Sequence, residues 1–229
     1  FKAWSDEIFS NIGEILFGTA SPESEAAAAE MNAYFLQRIN HLRRNPNDHL
    51  LGQLVAIETE DGRLDDEELL SFCRLLLIAG NETTTGLITA SARIFHEEPQ
   101  TLAQLKQRPE LSGAFVEEAL RYYSPFSATV RRTTKDVELA GQTIGAGELV
   151  VPLIASANRD ERVFDAPDTF VIERSPNPHL GMGFGIHFCL GAHLARLEGK
   201  IVVEQMAERY AEVVLANPEK AAIGDLGGP

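Results

Sequence analysis

Three glycines, a histidine and a cysteine alternate with other residues in Gly183-x-Gly185-x-His187-x-Cys189-x-Gly191. Ordinary residue frequencies match those five positions in a random window with a probability of about 10⁻⁷, so the spacing needs a physical cause. The chemistry such a loop can do is to hold a thiolate. Thiolate, rather than thiol, is the metal ligand and nucleophile, and its charge must be stabilised without protonation. Glycine permits the dihedrals and the close approach that let backbone N–H groups point at a sulfur. A helix opening at Leu190–Gly191 would add the positive end of its dipole beside that sulfur. The plainer reading is a glycine-rich loop with a buried structural cysteine, because cysteine is among the most buried residue types. Zinc is a weak competitor: His187 and Cys189 supply two ligands, and no second cluster completes a tetrahedral site.

A second candidate lies in Ala79-Gly80-Asn81-Glu82-Thr83-Thr84-Thr85. It places a glycine, an acid and three β-branched hydroxyl residues inside an apolar helical pattern, where propensity disfavours them. An acid beside a hydroxyl can relay protons from solvent. Taken alone, the stretch reads equally well as a polar kink in a buried helix.

These residues need elements to position them, and the pattern around them is mostly helical. Apolar residues at three- and four-residue spacing predict a helix over 24–44, ended by Pro46. A polar loop follows through Glu58, Asp61 and Gly62. Asp65, with Glu68 three residues on, has the form of a capping box and opens a long helix over about 65–97, stopped by Pro99. At 1.5 Å per residue that helix is about 46 Å long. Another helix is expected over about 112–123, closed by Ser124-Pro125. Short β-like runs with glycine turns occupy 137–151, and 158–178 is irregular. The candidate thiolate loop spans about 182–191 and a last helix about 190–210. The fold class is therefore mainly α with small β-sheets.

Composition narrows the function. There are 20 Lys and Arg against 34 Asp and Glu, a formal net charge of −14, which argues against a nucleic-acid partner. The two cysteines, Cys73 and Cys189, do not make a secreted disulfide framework, and a reducing cytoplasm fits better. The longest apolar run, Leu75 to Ala79, is far short of a membrane span, and no signal peptide opens the chain. Phe1 leads straight into an amphipathic pattern, which suggests a start partway through a larger protein.

The loop around Cys189 resembles the haem-binding signature of the cytochromes P-450, in which a Cys thiolate ligates iron. The family usually has Phe where this chain has Met182. Ala79-Gly80-x-Glu82-Thr83 resembles the acid–alcohol motif of the family's central helix. Glu118-x-x-Arg121 with the later Arg174 resembles its structural Glu-Arg-Arg triad. Arg131, rather than its neighbour Arg132, matches an arginine that pairs with a haem propionate, and Ala157-Asn158-Arg159-Asp160 resembles a loop segment of the bacterial members.

The resemblance covers nearly all of 1–229 and implies the C-terminal, haem-bearing portion of one soluble, bacterial-type P-450 domain. On that reading the N-terminal part is missing, and 216–229 does not resemble the usual closing strands. The piece alone would bind haem weakly or fold unstably. The implied site has Glu82 and Thr83 as catalytic residues and Cys189 as iron ligand. Around heme b (iron protoporphyrin IX) stand His187, Arg131, Gly183, Gly185, Gly191, Ala79 and Gly80. The implied reaction inserts one atom of O2 into a small organic substrate. Electrons come from NAD(P)H through a ferredoxin and its reductase, with Arg196 and Lys200 as candidate docking contacts, and the protein is a cytoplasmic monomer. Ile78, Gly86 and residues 126–129 suggest an apolar guest, while Cys73 reads as packing. The competing implications are a truncated or remnant haem binder without activity, or a peroxide-using haem-thiolate enzyme.

Overall fold

The computed structural model describes residues 1–11, 19–59 and 62–216. Asp61 of the polar loop, and the final stretch from 217 onward, therefore lie outside the described residues. The chain divides into two compact units, Phe1–Glu82 and Thr83–Pro229.

The first unit contains α1 (Lys2–Ser10), α2 (Pro22–Arg44), α3 (Leu50–Ala56) and the first turns of α4 (Asp66–Glu97). A minimal antiparallel hairpin, β1 (Glu58–Thr59) with β2 (Gly62–Arg63), precedes α4. The start of α2 follows from local chemistry. Ser21 accepts the Ser24 N–H at 3.1 Å, and Pro22 sits where its missing donor costs nothing. Glu23 and Glu25 in the first turn, with His41, Arg43 and Arg44 in the last, complement the helix dipole. Ile8, Ala27 and Met31 form one buried cluster, and Ile39, Leu54 and Leu69 another. The capping box forms reciprocally at the head of α4: Glu68 N–H donates to Asp65 Oδ1 at 2.8 Å, and Asp65 N–H to Glu68 Oε2 at 2.9 Å.

The second unit carries the rest of α4, then α5 (Pro99–Gln107), a 3₁₀ turn (Pro109–Leu111) and α6 (Ser112–Tyr122). Pro99 is more than a stop signal, since it occupies the first turn of α5. That helix was not anticipated from the sequence. Next come β3 (Arg131–Arg132), β4 (Val137–Leu139), β5 (Gln142–Ile144) and β6 (Leu149–Val150). They pair antiparallel as β3 with β6 and β4 with β5. A single turn, α7 (Ile154–Ala157), leads into the irregular segment, and α8 (Ala192–Arg209) follows the cysteine loop. The helix begins at Ala192, not Leu190, because Leu190 and Gly191 form a turn in which Ala192 N–H donates to Cys189 O at 3.2 Å.

The core of this unit joins Leu87, Ile94 and Phe95 of α4 to Phe115, Val116 and Ala119 of α6 and Val203 of α8. Gly199 lets the three helices meet: a Cβ there would lie 2.8 Å from Leu87 Cδ2 and 3.3 Å from Val116 Cγ2.

The irregular stretch lacks ladder hydrogen bonds, so its order must come from side chains. It comes from one ionic centre. Glu118 and Arg121, three apart on α6, are both fully buried and meet at 2.8 Å. Arg174 Nε reaches Glu118 Oε1 at 3.0 Å, and Val171 N–H donates to the same oxygen at 3.0 Å. Arg121 then donates to the carbonyls of Asn158, Pro167 and Thr169, and Arg174 to those of Asp165, Ala166 and Thr169. Asn158, also fully buried, donates to Ser124 Oγ at 2.8 Å and accepts the Leu180 N–H at 2.7 Å. The bonds thus run from α6 through the irregular segment to the start of the cysteine loop.

Removing one member of a buried ion pair leaves an uncompensated charge and costs about 3–5 kcal/mol. Glu118→Gln should therefore lower unfolding free energy by that amount, measured by urea denaturation. A loss below about 1 kcal/mol, the size of an ordinary substitution, would show that the centre does not organise the segment.

Candidate functional site

The cysteine loop is built from backbone hydrogen bonds that the glycines make possible. Gly183 N–H donates to Leu180 O at 2.8 Å, Phe188 N–H to Gly185 O at 3.0 Å, and Cys189 N–H to Met182 O at 2.8 Å. Gly183 holds φ at +75°, and a Cβ on it would stand 2.7 Å from the His187 carbonyl oxygen. No side chain fits there. The Cys189 amide is thus spent on closing the loop, and a Cβ on Gly191 would lie 4.0 Å from the Cys189 sulfur.

Cys189 is exposed, whereas Cys73 is buried and its thiol pKa is pushed up by that burial. Around the sulfur the apolar side chains are exposed too: Phe184 is 82%, Ile186 98% and Leu190 75% accessible. On α8, exposed Leu194, Leu197 and Ile201 share one face by their spacing. Met182 does the opposite. It is buried in the core cluster beneath the loop, so the thioether fills the volume under the turn.

A tight polar cluster braces the loop from below. His179 Nε2 lies 3.1 Å from Glu117 Oε2, while His179 Nδ1 accepts the Gly181 N–H at 3.1 Å. With Nδ1 accepting, Nε2 carries the proton and donates to Glu117. Arg196 of α8 approaches the same carboxylate, Nε to Oε1 at 2.6 Å and Nη2 to Oε2 at 2.9 Å. Burial pushes the Glu117 pKa up, but the hydrogen bonds from His179 and Arg196 outweigh it and hold the carboxyl at about 2. The Arg196 pKa is raised by its bond to Glu117, against burial, with further help from the charges of Glu117 and Cys189. Arg196, read from the sequence as a docking contact, is paired with Glu117 and keeps about a third of its side chain exposed. Lys200 is the more exposed of the two, 3.8 Å from Glu204.

The remaining expected residues fall as follows. His187 lies in the 3₁₀ turn Gly185–His187 and is exposed. Arg131 and Arg132 on β3 are both exposed, so strand alternation does not separate them. Their partners do: Arg132 Nη1 donates to Gly147 O at 2.6 Å, whereas Arg131 Nη1 makes only near-neighbour bonds to Thr129 Oγ1 and Val130 O. On α4, every residue from Asp66 to Glu97 is α-helical, Gly80 included. Ala79 and Gly80 are exposed, Glu82 is buried and Thr83 is half-buried. Glu82 Oε1 accepts from Ser5 Oγ of α1 at 3.0 Å. Thr84 donates to Glu198 of α8 at 3.2 Å. Residues Glu117 and His179 were not singled out from the sequence. They stand 62 apart in the chain, beyond any local periodicity, and the one clue was a second acid beside Glu118.

The donor set bears on what the loop can hold. Among the described residues no group of three or more His, Cys, Asp or Glu is placed for a metal ion. A single exposed sulfur in an apolar rim fits an iron whose other ligands come from a planar macrocycle, and does not fit zinc. The exposed Phe184, Ile186 and Leu190 of the loop offer hydrocarbon to such a ring. Among the described residues no helix is long and apolar enough to cross a membrane.

Comparison with known proteins agrees with this geometry. The sequence model of the family described as cytochrome P-450 matches residues 6–219. The biotin biosynthesis cytochrome P-450 of Bacillus subtilis is 39% identical over 218 residues, covering 95% of this chain and 55% of that protein. The monooxygenase PikC of Streptomyces venezuelae is 39% identical over 217 residues, covering 94% and 50%. The structure of CYP109E1 from Bacillus megaterium with testosterone superposes with a TM-score of 0.81 at 42% identity, over 91% of this chain and 56% of that one. The chain thus spans about half the length of the relatives it matches. Its helices, its small sheets and its loop around Cys189 follow a partial P-450 fold, and the chain belongs to the cytochrome P-450 family.

Proposed function

We propose that the protein is a haem-thiolate monooxygenase in which Cys189 ligates the iron of heme b and one oxygen atom of O2 enters an organic substrate. The observation that carries this reading is the exposed Cys189 sulfur, set in an apolar rim on a loop braced from both sides. A cysteine kept for packing is normally buried, as Cys73 is here. Large apolar side chains gathered at an exposed surface mark a binding site. Phe184, Ile186 and Leu190 would lie against the porphyrin, with Gly183, Gly185 and Gly191 keeping the backbone low. His187 and Arg131 would hold the propionates.

When bound, haem supplies the iron at which dioxygen is reduced, with the thiolate donating electron density to it. The protein's own part on α4 is proton handling. The Thr83 hydroxyl would hand on a proton, and the neighbouring Glu82 carboxyl would resupply it. Ala79 and Gly80 leave the helix surface there without bulk. Electrons would reach the site from NAD(P)H through a ferredoxin and its reductase, with Lys200 as a basic contact. The reading extends to a cytoplasmic monomer. An apolar substrate is supported by one relative, CYP109E1, whose structures hold testosterone and corticosterone.

Two variants test the assignment. Cys189→Ala should abolish the thiolate-type band of the reduced carbon monoxide complex, and its persistence would refute the ligand. Thr83→Ala should keep that band but lower product formed per NADH consumed by roughly 10²-fold. Unchanged coupling would remove Thr83 from the proton path.

A further inference from the structure

Glu117 has no part in the chemistry above, yet it is the meeting point of the two ends of the cysteine loop. His179 lies upstream of the sulfur and Arg196 downstream, and both bind this one carboxylate. The upstream arm is rigid. His179 is nearly buried and its ring is fixed at both nitrogens, by Glu117 and by Gly181 N–H. From Leu180 the bonds pass to Gly183, and from Met182 O to the Cys189 N–H. The downstream arm is α8, which is entered through the bond from Ala192 N–H to Cys189 O and carries Arg196 in its second turn. A loop tied at one end only could swing its sulfur. Tied at both ends to one point on α6, it cannot.

We propose that Glu117 is a positioning residue for Cys189, clamping His179 and Arg196 so that the sulfur keeps its place. This rests on the reading of Cys189 as haem ligand. Groups that orient a metal ligand from behind typically change metal affinity 10–100-fold when removed. The nearby Glu118 centre differs in kind, because its bonds order the irregular segment and do not reach Arg196.

The test uses the haem-loaded protein and compares wild type with Glu117→Gln, which keeps the side-chain size but loses the charge. Arg196→Gln breaks the same clamp from the other end, and Glu97→Gln is a control that disrupts the unrelated cluster with Arg93 and Tyr123. The readouts are the rate of haem transfer to apomyoglobin and the share of thiolate-type against thiol-type carbon monoxide complex. Both clamp variants should release haem roughly tenfold faster and shift the spectrum toward the thiol type. The double variant should add little to either single change, as expected for residues in one network. A purely structural role would lower the melting temperature of all three single variants alike and leave haem release and spectrum at the control's level. That outcome overturns the proposal while the ligand assignment stands. If wild type itself shows no thiolate-type complex, the ligand assignment and the proposal fall together.

Discussion

One buried carboxylate, Glu118, is the constraint on which the chain leading to the cysteine loop depends. It is fully buried between two arginines, and each arginine spends its remaining donors on carbonyls of a segment with almost no secondary structure of its own. An unpaired charge in that environment would cost several kcal/mol, so the arginines cannot leave and the carbonyls cannot drift. An extended, irregular chain of some twenty residues is thereby held with the definition usually reserved for a sheet. The cysteine loop starts where that order ends, at the Leu180 N–H accepted by Asn158.

The adjacent acid on the same helix turns this scaffold toward chemistry. Consecutive residues on a helix point about 100° apart, so Glu118 and Glu117 serve different neighbours. Glu118 faces the irregular segment, and Glu117 faces the loop and α8. One helix therefore carries two carboxylates with separate duties, one for order in the chain leading to the loop and one for the loop itself. The contrast in exposure fits: Glu118 is fully buried, while the Glu117 side chain keeps about a third of its surface in water.

The exposed sulfur and its apolar surroundings are the other half of the design. Burying Phe184, Ile186 and Leu190 against a macrocycle would remove hydrocarbon from water at about 25 cal/mol per Å². That hydrocarbon stands exposed on the loop, while the bonds among Leu180, Met182, Gly183, Gly185, Phe188 and Cys189 hold the backbone behind it. Met182 shows the division within one turn, its side chain packed in the core while its carbonyl accepts from Cys189.

Much of this was legible in residue order because its causes are local. The capping box of Asp65 and Glu68 and the glycine spacing around Cys189 each depend on residues a few positions apart, where steric and hydrogen-bond rules act directly. The triad was recognisable through resemblance, although only the first two members share a helix. Other features had no local signature. Helix α5 is short and opens on a proline that also reads as a terminator of the helix before it. Strand alternation could not separate Arg131 from Arg132, because both side chains are exposed. Arg196 looked like a surface cation until the fold placed Glu117 beside it, and Glu117 meets His179 across 62 residues. Sequence by itself determined which groups are available and which backbone shapes they permit. Tertiary structure alone decided which charges meet, because pairing across such distances depends on how α6, α8 and the loop pack, and no short-range rule contains that information.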